Sequence, residues 1–154
     1  MIRSFVIVGL VPSFLALLEF NFANPDEIAF YLGLGLFFAG ATLLVAALRT
    51  FVKECEAGTD SSGEPRKLIV SGVYAYVRNP VEIAIVAMLL GETIFFKSAW
   101  ILLWVSIYFS LKNAYLAVFE EPRMAKRFGG MYFDYSRNVG RWIPRKRPWV
   151  PDFD

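Results

Sequence analysis

Two short stretches of this sequence concentrate polar chemistry beside apolar runs: SGVYAYVRNPVEIAI, from Ser71 to Ile85, and FEEP, from Phe119 to Pro122. The first places Tyr76, Arg78, Asn79, Pro80 and Glu82 at the start of a helix-like run. Asn79 is a favoured N-cap. Pro80 suits the first helical position, where the amide hydrogen it lacks would be unpaired anyway, and Glu82 falls where a capping-box carboxylate sits. The same geometry suits an anion, because a helix start directs unpaired N–H groups and the positive end of its dipole outward, with Arg78 beside it. The two readings are compatible, the cap supplying the platform on which a carboxylate would dock. In the second stretch Glu120 and Glu121 stand side by side ahead of Pro122. Adjacent carboxylates repel and the residue before a proline avoids the helical region, which predicts a chain break with concentrated negative charge. Ser106, Ser110, Asn113, Ala117 and Glu120 follow four- and three-residue steps and share one helix face leading to that pair. A solvated helix end and close helix packing account for the pair and the stripe without any ligand.

What is missing narrows the chemistry. The chain has no histidine, which removes the commonest neutral-pH acid/base, and its one cysteine, Cys55, rules out an intramolecular disulfide and a cysteine-based metal site. No metal ligand set is expected. Reactions must run on carboxylates, Tyr, Arg, Lys or a borrowed cofactor. The net charge of +2 is too small, and the basic residues too closely confined to the ends of apolar runs, for nucleic-acid binding.

The elements that position these groups follow from hydropathy. With 56% hydrophobic residues, 19% charged and a mean hydropathy of +0.47, the 154-residue chain reads as an integral membrane protein. Four apolar runs, about 5–22, 28–48, 80–96 and 99–119, predict an all-α bundle of four transmembrane helices in a single domain, 1–154, since a hydrocarbon core of ~30 Å takes about 20 helical residues. Pro12 should bend the first, which lacks a small-residue cleavage site and is expected to stay attached. Lys and Arg are absent from 21–27, whereas the loop from Arg49 to Arg78 and the tail after Pro122 are rich in them. The positive-inside rule therefore places both termini and the middle loop in the cytoplasm. The tail, 120–154, interleaves Phe128, Met131, Tyr132, Tyr135 and Trp142 with basic residues, as a membrane-associated helical segment folded under the bundle would. Glu19 and Glu92 lie near the outer ends of spans, where interfacial solvation accounts for them, and Lys112 snorkels or lines a wet cleft.

SGVYAYVRNPVEIA, followed by EEPRMAKRFGGMYFDYSRNVGRWIPR, resembles the isoprenylcysteine carboxyl methyltransferase-like and phospholipid methyltransferase-like membrane enzymes over roughly Lys67 to Arg145. Arg78, Asn79 and Pro80 match the family's first motif and Glu120 and Glu121 its second. Tyr132, Tyr135, Arg141, Trp142, Pro144 and Arg145 match the closing tail. Glu82 departs, standing where the family has tyrosine. The resemblance implies a methyltransferase that binds S-adenosylmethionine at the cytoplasmic face, with Tyr76, Arg78, Asn79, Pro80, Glu82, Glu120, Glu121 and Tyr135 as cofactor contacts. Arg137 and Arg141 would orient an acceptor from the bilayer: an isoprenylcysteine carboxylate, a lipid amine or a thiol. Membrane lipids are the other expected partners. A histidine-free site suffices for displacement at a sulfonium if the acceptor is already a carboxylate or thiolate, since positioning then carries most of the rate. A non-enzymatic family member, suggested by Glu82, and a nicotinamide-dependent membrane reductase are the competing classes.

Overall fold

The computed structural model describes residue 24 and residues 27–56, 58–59 and 65–151. The first apolar run, with Pro12 and Glu19, lies outside the described residues. Regular structure within them is helical, beside one isolated antiparallel bridge between Thr59 and Pro65. The order is α1 (Ile28–Glu56), a 3-10 turn (Gly72–Ala75), α2 (Pro80–Phe96), α3 (Ala99–Tyr115), a π turn (Leu116–Glu120), α4 (Glu121–Phe128) and α5 (Gly130–Asn138).

Two boundaries differ from the expectation. α1 continues past Leu48 to Glu56, because VAALRTFVKECE has no glycine or proline and is rich in helix formers, so the helix outlasts its apolar stretch. The chain also does not break before Pro122. Glu121 keeps helical angles (φ −63°, ψ −44°), and the π turn passes directly into α4, where the proline occupies the first turn and needs no donor. α4 instead ends at Gly129, whose φ of 57° a side chain would disfavour.

The described chain divides into two compact units. In the first, residues 27–41 and 84–112, α1 and α2 touch backbone to backbone. A Cβ on Gly33 would lie 2.8 Å from the Gly91 carbonyl oxygen, and one on Gly40 would lie 2.7 Å from that of Ala84. Gly33 and Gly40 are seven residues apart on α1, as are Ala84 and Gly91 on α2, so small residues recur at the same level on both helices. Leu89, Ile101 and Val105 are buried nearby in sequence, and Phe30 stacks obliquely on Phe95 with ring centres 5.2 Å apart. α2 and α3 are joined by a tight turn in which Lys97 takes φ 50° and the buried Ser98 hydroxyl accepts the Ile101 N–H at 3.3 Å, capping α3. The Lys97 ammonium pairs with Glu27, holding that carboxyl below its usual range. Glu92 does not lie in full solvent: one carboxylate oxygen is buried without a partner among the described residues, as is the Trp104 indole nitrogen.

Two helical stretches, Ile28–Glu56 and Ala99–Phe128, are long and apolar enough to cross a membrane, yet only 11% and 22% of their most apolar windows are buried by protein. Leu32, Phe38, Trp100, Leu103 and Leu111 are among the large side chains left exposed, which is how a lipid-facing surface reads. α2, with 17 residues, is about 26 Å long.

The second unit comprises residues 42–83 and 113–151. Its core is Tyr132, Tyr135 and Val139, packed against Leu68, Val70, Met124, Phe128 and Trp149. The tail turns back along the segment before α2: Arg78 N–H donates to the Gly140 carbonyl, Arg145 N–H to that of Tyr76 and Trp149 N–H to that of Ala75, each at 2.9 Å.

Candidate functional site

The second unit gathers its charges around one carboxylate. Glu121, in the first turn of α4, accepts from Arg78 Nη1 (2.9 Å) and Arg141 Nε (2.8 Å) on Oε1, and from Arg141 Nη2 (2.6 Å) on Oε2. The Arg141 fork is thus bidentate, the geometry in which a guanidinium binds a carboxylate most directionally. All three side chains are half-buried, at 14% to 26% exposure, so water screens the cluster only partly. Two guanidiniums share this one carboxylate.

Further hydrogen bonds fix that arrangement. Asn113 Oδ1, in the last turn of α3, accepts from both Arg141 Nη1 (3.2 Å) and Trp142 Nε1 (3.0 Å). The Asn79 carbonyl accepts the Ile83 N–H at 3.2 Å, as an N-cap residue should, while its side-chain amide donates to the Arg141 carbonyl at 3.4 Å. Asn79 therefore starts α2 and tethers the tail. Pro80 behind it is fully buried. Arg78 Nη1 also donates to the Tyr132 hydroxyl at 3.2 Å, whereas Arg78 Nε is buried with no partner among the described residues. Arg145 Nη1 is in the same condition.

An open cavity of about 300 Å³ lies on this cluster, lined by Arg78, Ala117, Glu121, Pro122, Ala125, Tyr132, Phe133 and Ser136. The adjacent Val118 and Phe119 are more than 60% exposed and Phe133 is also exposed, so a polar floor meets an apolar surface. The phenols here keep their protons. Burial, reinforced by the charge of Glu120, pushes Tyr74 up to about 12, burial and Glu121 raise Tyr132, and burial raises Tyr135, whose hydroxyl donates to the Tyr74 carbonyl at 2.8 Å. None is a tyrosinate base at neutral pH.

Of the residues singled out from sequence, the structure brings Arg78, Asn79, Glu121 and Arg141 into one network. Glu120 is half-buried, and its charge acts on Tyr74. Glu82 is half-buried in the first turn of α2, Tyr76 is exposed and offers its carbonyl to the tail, and Tyr135 is a core residue. Arg137 is exposed in the last turn of α5 and does not line the cavity, although its neighbour Ser136 does. Phe133, Ser136 and the joining role of Asn113 were not anticipated. The polar stripe on α3 pointed to Asn113, but nothing local in the sequence marks its donors, which lie 28 and 29 residues away. No group of three metal-ligating side chains occurs among the described residues.

A family model described as phospholipid methyltransferase matches residues 28–130, which is more than half of the chain. No curated protein and no solved structure matches.

Proposed function

The chain belongs to the phospholipid methyltransferase family, and from that premise we propose that it is an S-adenosylmethionine-dependent enzyme methylating a lipophilic acceptor that reaches it from the bilayer. Family membership together with the two long apolar helices makes it a membrane protein of a methyltransferase family whose substrates are lipid-type. The observation that carries the finer reading is the cavity over Arg78 and Glu121, where two guanidiniums and a buried Arg78 Nε with no partner among the described residues adjoin exposed apolar side chains.

The residues present fit the cofactor. Arg78 and the start of α2 would receive its carboxylate, Glu120 or Glu121 its amino group or ribose hydroxyls, and Tyr132 and Phe133 offer ring surface. When bound, S-adenosylmethionine supplies an electrophilic methyl carbon on a sulfonium. Glu121 holds the two guanidiniums in register, Asn113 fixes Arg141 and Trp142, and Asn79 keeps the tail against the start of α2. Arg141 is so fully engaged that it steadies the site more than it meets an acceptor. Arg137, exposed beside the cavity-lining Ser136, is the cation an acceptor's anionic portion would meet. The phenols stay neutral, leaving positioning as the main source of rate for an acceptor that is already a carboxylate or thiolate, whereas a lipid amine would have to arrive deprotonated. Four spans with cytoplasmic termini remain the arrangement we favour, on the distribution of Lys and Arg. The acceptor is an isoprenylcysteine carboxylate, a lipid amine or a thiol.

Transfer of a labelled methyl group from S-adenosylmethionine to a lipid extract and a thiol panel tests the reading, alongside thermal shift with S-adenosylhomocysteine and NADPH. A labelled lipophilic product and stabilisation by S-adenosylhomocysteine alone are expected. Stabilisation by neither ligand would favour a non-enzymatic role, and stabilisation by NADPH alone a reductase.

A further inference from the structure

Pro122 follows two carboxylates inside one continuous helical stretch, Ala99–Phe128, and the π turn lies immediately ahead of it. The proline is a local cause of that turn. In a regular α-helix its ring would clash with the carbonyl four residues back, at Val118. Here the Glu121 N–H donates instead to the Leu116 carbonyl, five residues back, so the turn holds one extra residue and the helix passes the ring without a break. Leu116 is buried, whereas Val118 and Phe119 are largely exposed, so little protein packs on the widened turn to hold it open.

That extra residue decides which carboxylate faces the arginines. About seven residues of regular helix return a side chain to within about 20° of its starting face, and one more leaves it about 80° away. Asn113 and Glu120 are seven apart, so an uninterrupted α-helix would set Glu120 in line with Asn113 and turn Glu121 aside. The π turn takes up one residue and brings Glu121 to that place. The hydrogen bonds agree, because the Arg141 guanidinium spans Asn113 Oδ1 and both Glu121 oxygens. So does the cavity, which is lined by Ala117, Glu121 and Pro122 but not by Glu120, whose charge acts on Tyr74. We infer that Pro122 is a positioning residue: through the π turn it selects Glu121 over Glu120 as the carboxylate that holds Arg78 and Arg141 at the cavity. The adjacent carboxylates are two registers of one site, and the helix makes the choice whichever ligand the cavity takes.

Double-mutant cycles on the full chain in detergent, read as melting temperature without ligand, test that choice. In the wild type, Arg141→Gln combined with Glu121→Gln should depart from additivity by about 3 °C or more, as a coupled charge pair does, and combined with Glu120→Gln by less than about half of that. In the Pro122→Ala background the two should exchange, Glu120 becoming the coupled partner. Deleting Val118 from the Pro122→Ala chain removes the extra residue and should return the coupling to Glu121. A proline that mattered for stability alone would shift every melting temperature and leave the partner unchanged. Coupling that stays with Glu121 in Pro122→Ala overturns the inference, as does equal coupling to both carboxylates in the wild type. If Pro122→Ala does not fold, the wild-type cycles and the shortened Pro122→Ala chain decide, and a failure of Glu121 to be the stronger partner in either is the contrary result. Because neither a ligand nor methyl transfer is read, these outcomes are independent of the proposed enzymatic activity.

Discussion

Glu121 is the residue on which the candidate site turns, since its two oxygens take three hydrogen bonds from two guanidiniums. Replacing it by glutamine leaves Arg78 and Arg141 side by side without a counter-charge. Removing one partner of a buried pair costs about 3 to 5 kcal/mol, and the partial exposure of these side chains brings the expectation for Glu121→Gln to about 2 kcal/mol. Thermal unfolding in detergent should show that loss, with much of it restored in Glu121→Asp, and S-adenosylhomocysteine should stabilise the glutamine variant less than wild type. Tyr74 supplies a prediction in pH. Its ionisation is pushed from 10.0 up to about 12 in the folded chain, so the unfolded state gives up that proton first as pH rises. The contribution is intact below pH 10 and is lost through the interval up to about 12, at no more than roughly 1.4 kcal/mol per pH unit. Tyr74→Phe should therefore flatten the fall in melting temperature between pH 10 and 11.5, and an unchanged slope would contradict the assignment.

Among the elements, the contact of α1 with α2 makes the sharpest demand. A Cβ on Gly91 would lie 2.7 Å from the Gly33 carbonyl oxygen and from Phe37 N, both backbone atoms, whereas one on Gly35 meets nothing within 4 Å. Gly91→Ala should destabilise by about 1 to 3 kcal/mol through overpacking, and Gly35→Ala should be neutral or stabilising by up to about 1 kcal/mol. Similar losses in both, measured by unfolding in detergent, would mean that helix propensity and not the close approach governs this pair. The start of α2 was legible in the sequence because Asn79 and Pro80 act through their own backbone geometry. The end of α1 was not, because hydropathy marks where an apolar stretch stops and helix propensity continues through Arg49 and Lys53. The proline rule foretold a break at Glu121 that the π turn avoids. The charged residues of the site could be named in advance, but their pairing could not: Arg78 and Glu121 are 43 residues apart, and Arg141 reaches Glu121 across 20. That pairing exists only after the tail has folded back.

For the whole molecule, the favoured topology puts the tail in the cytoplasm, and a reporter fused after Asp154 should read as cytoplasmic. An extracytoplasmic signal would reverse the orientation and move the Glu121 cluster to the opposite face. One consequence of the helix lengths concerns the membrane itself. The apolar stretch of α1, 28–48, spans about 31 Å, while α2, packed against it at Gly33 and Gly40, has 17 residues and reaches about 26 Å. No single hydrophobic thickness matches both. The longer helix relieves mismatch by tilting and by letting Arg49 and Lys53 snorkel, but the shorter one can only thin the lipid around it. The protein should thus be most stable in a thin bilayer of about 27 Å and lose melting temperature steadily as longer acyl chains take the core to about 33 Å, making lipid chain length a selective force on which membranes can house it.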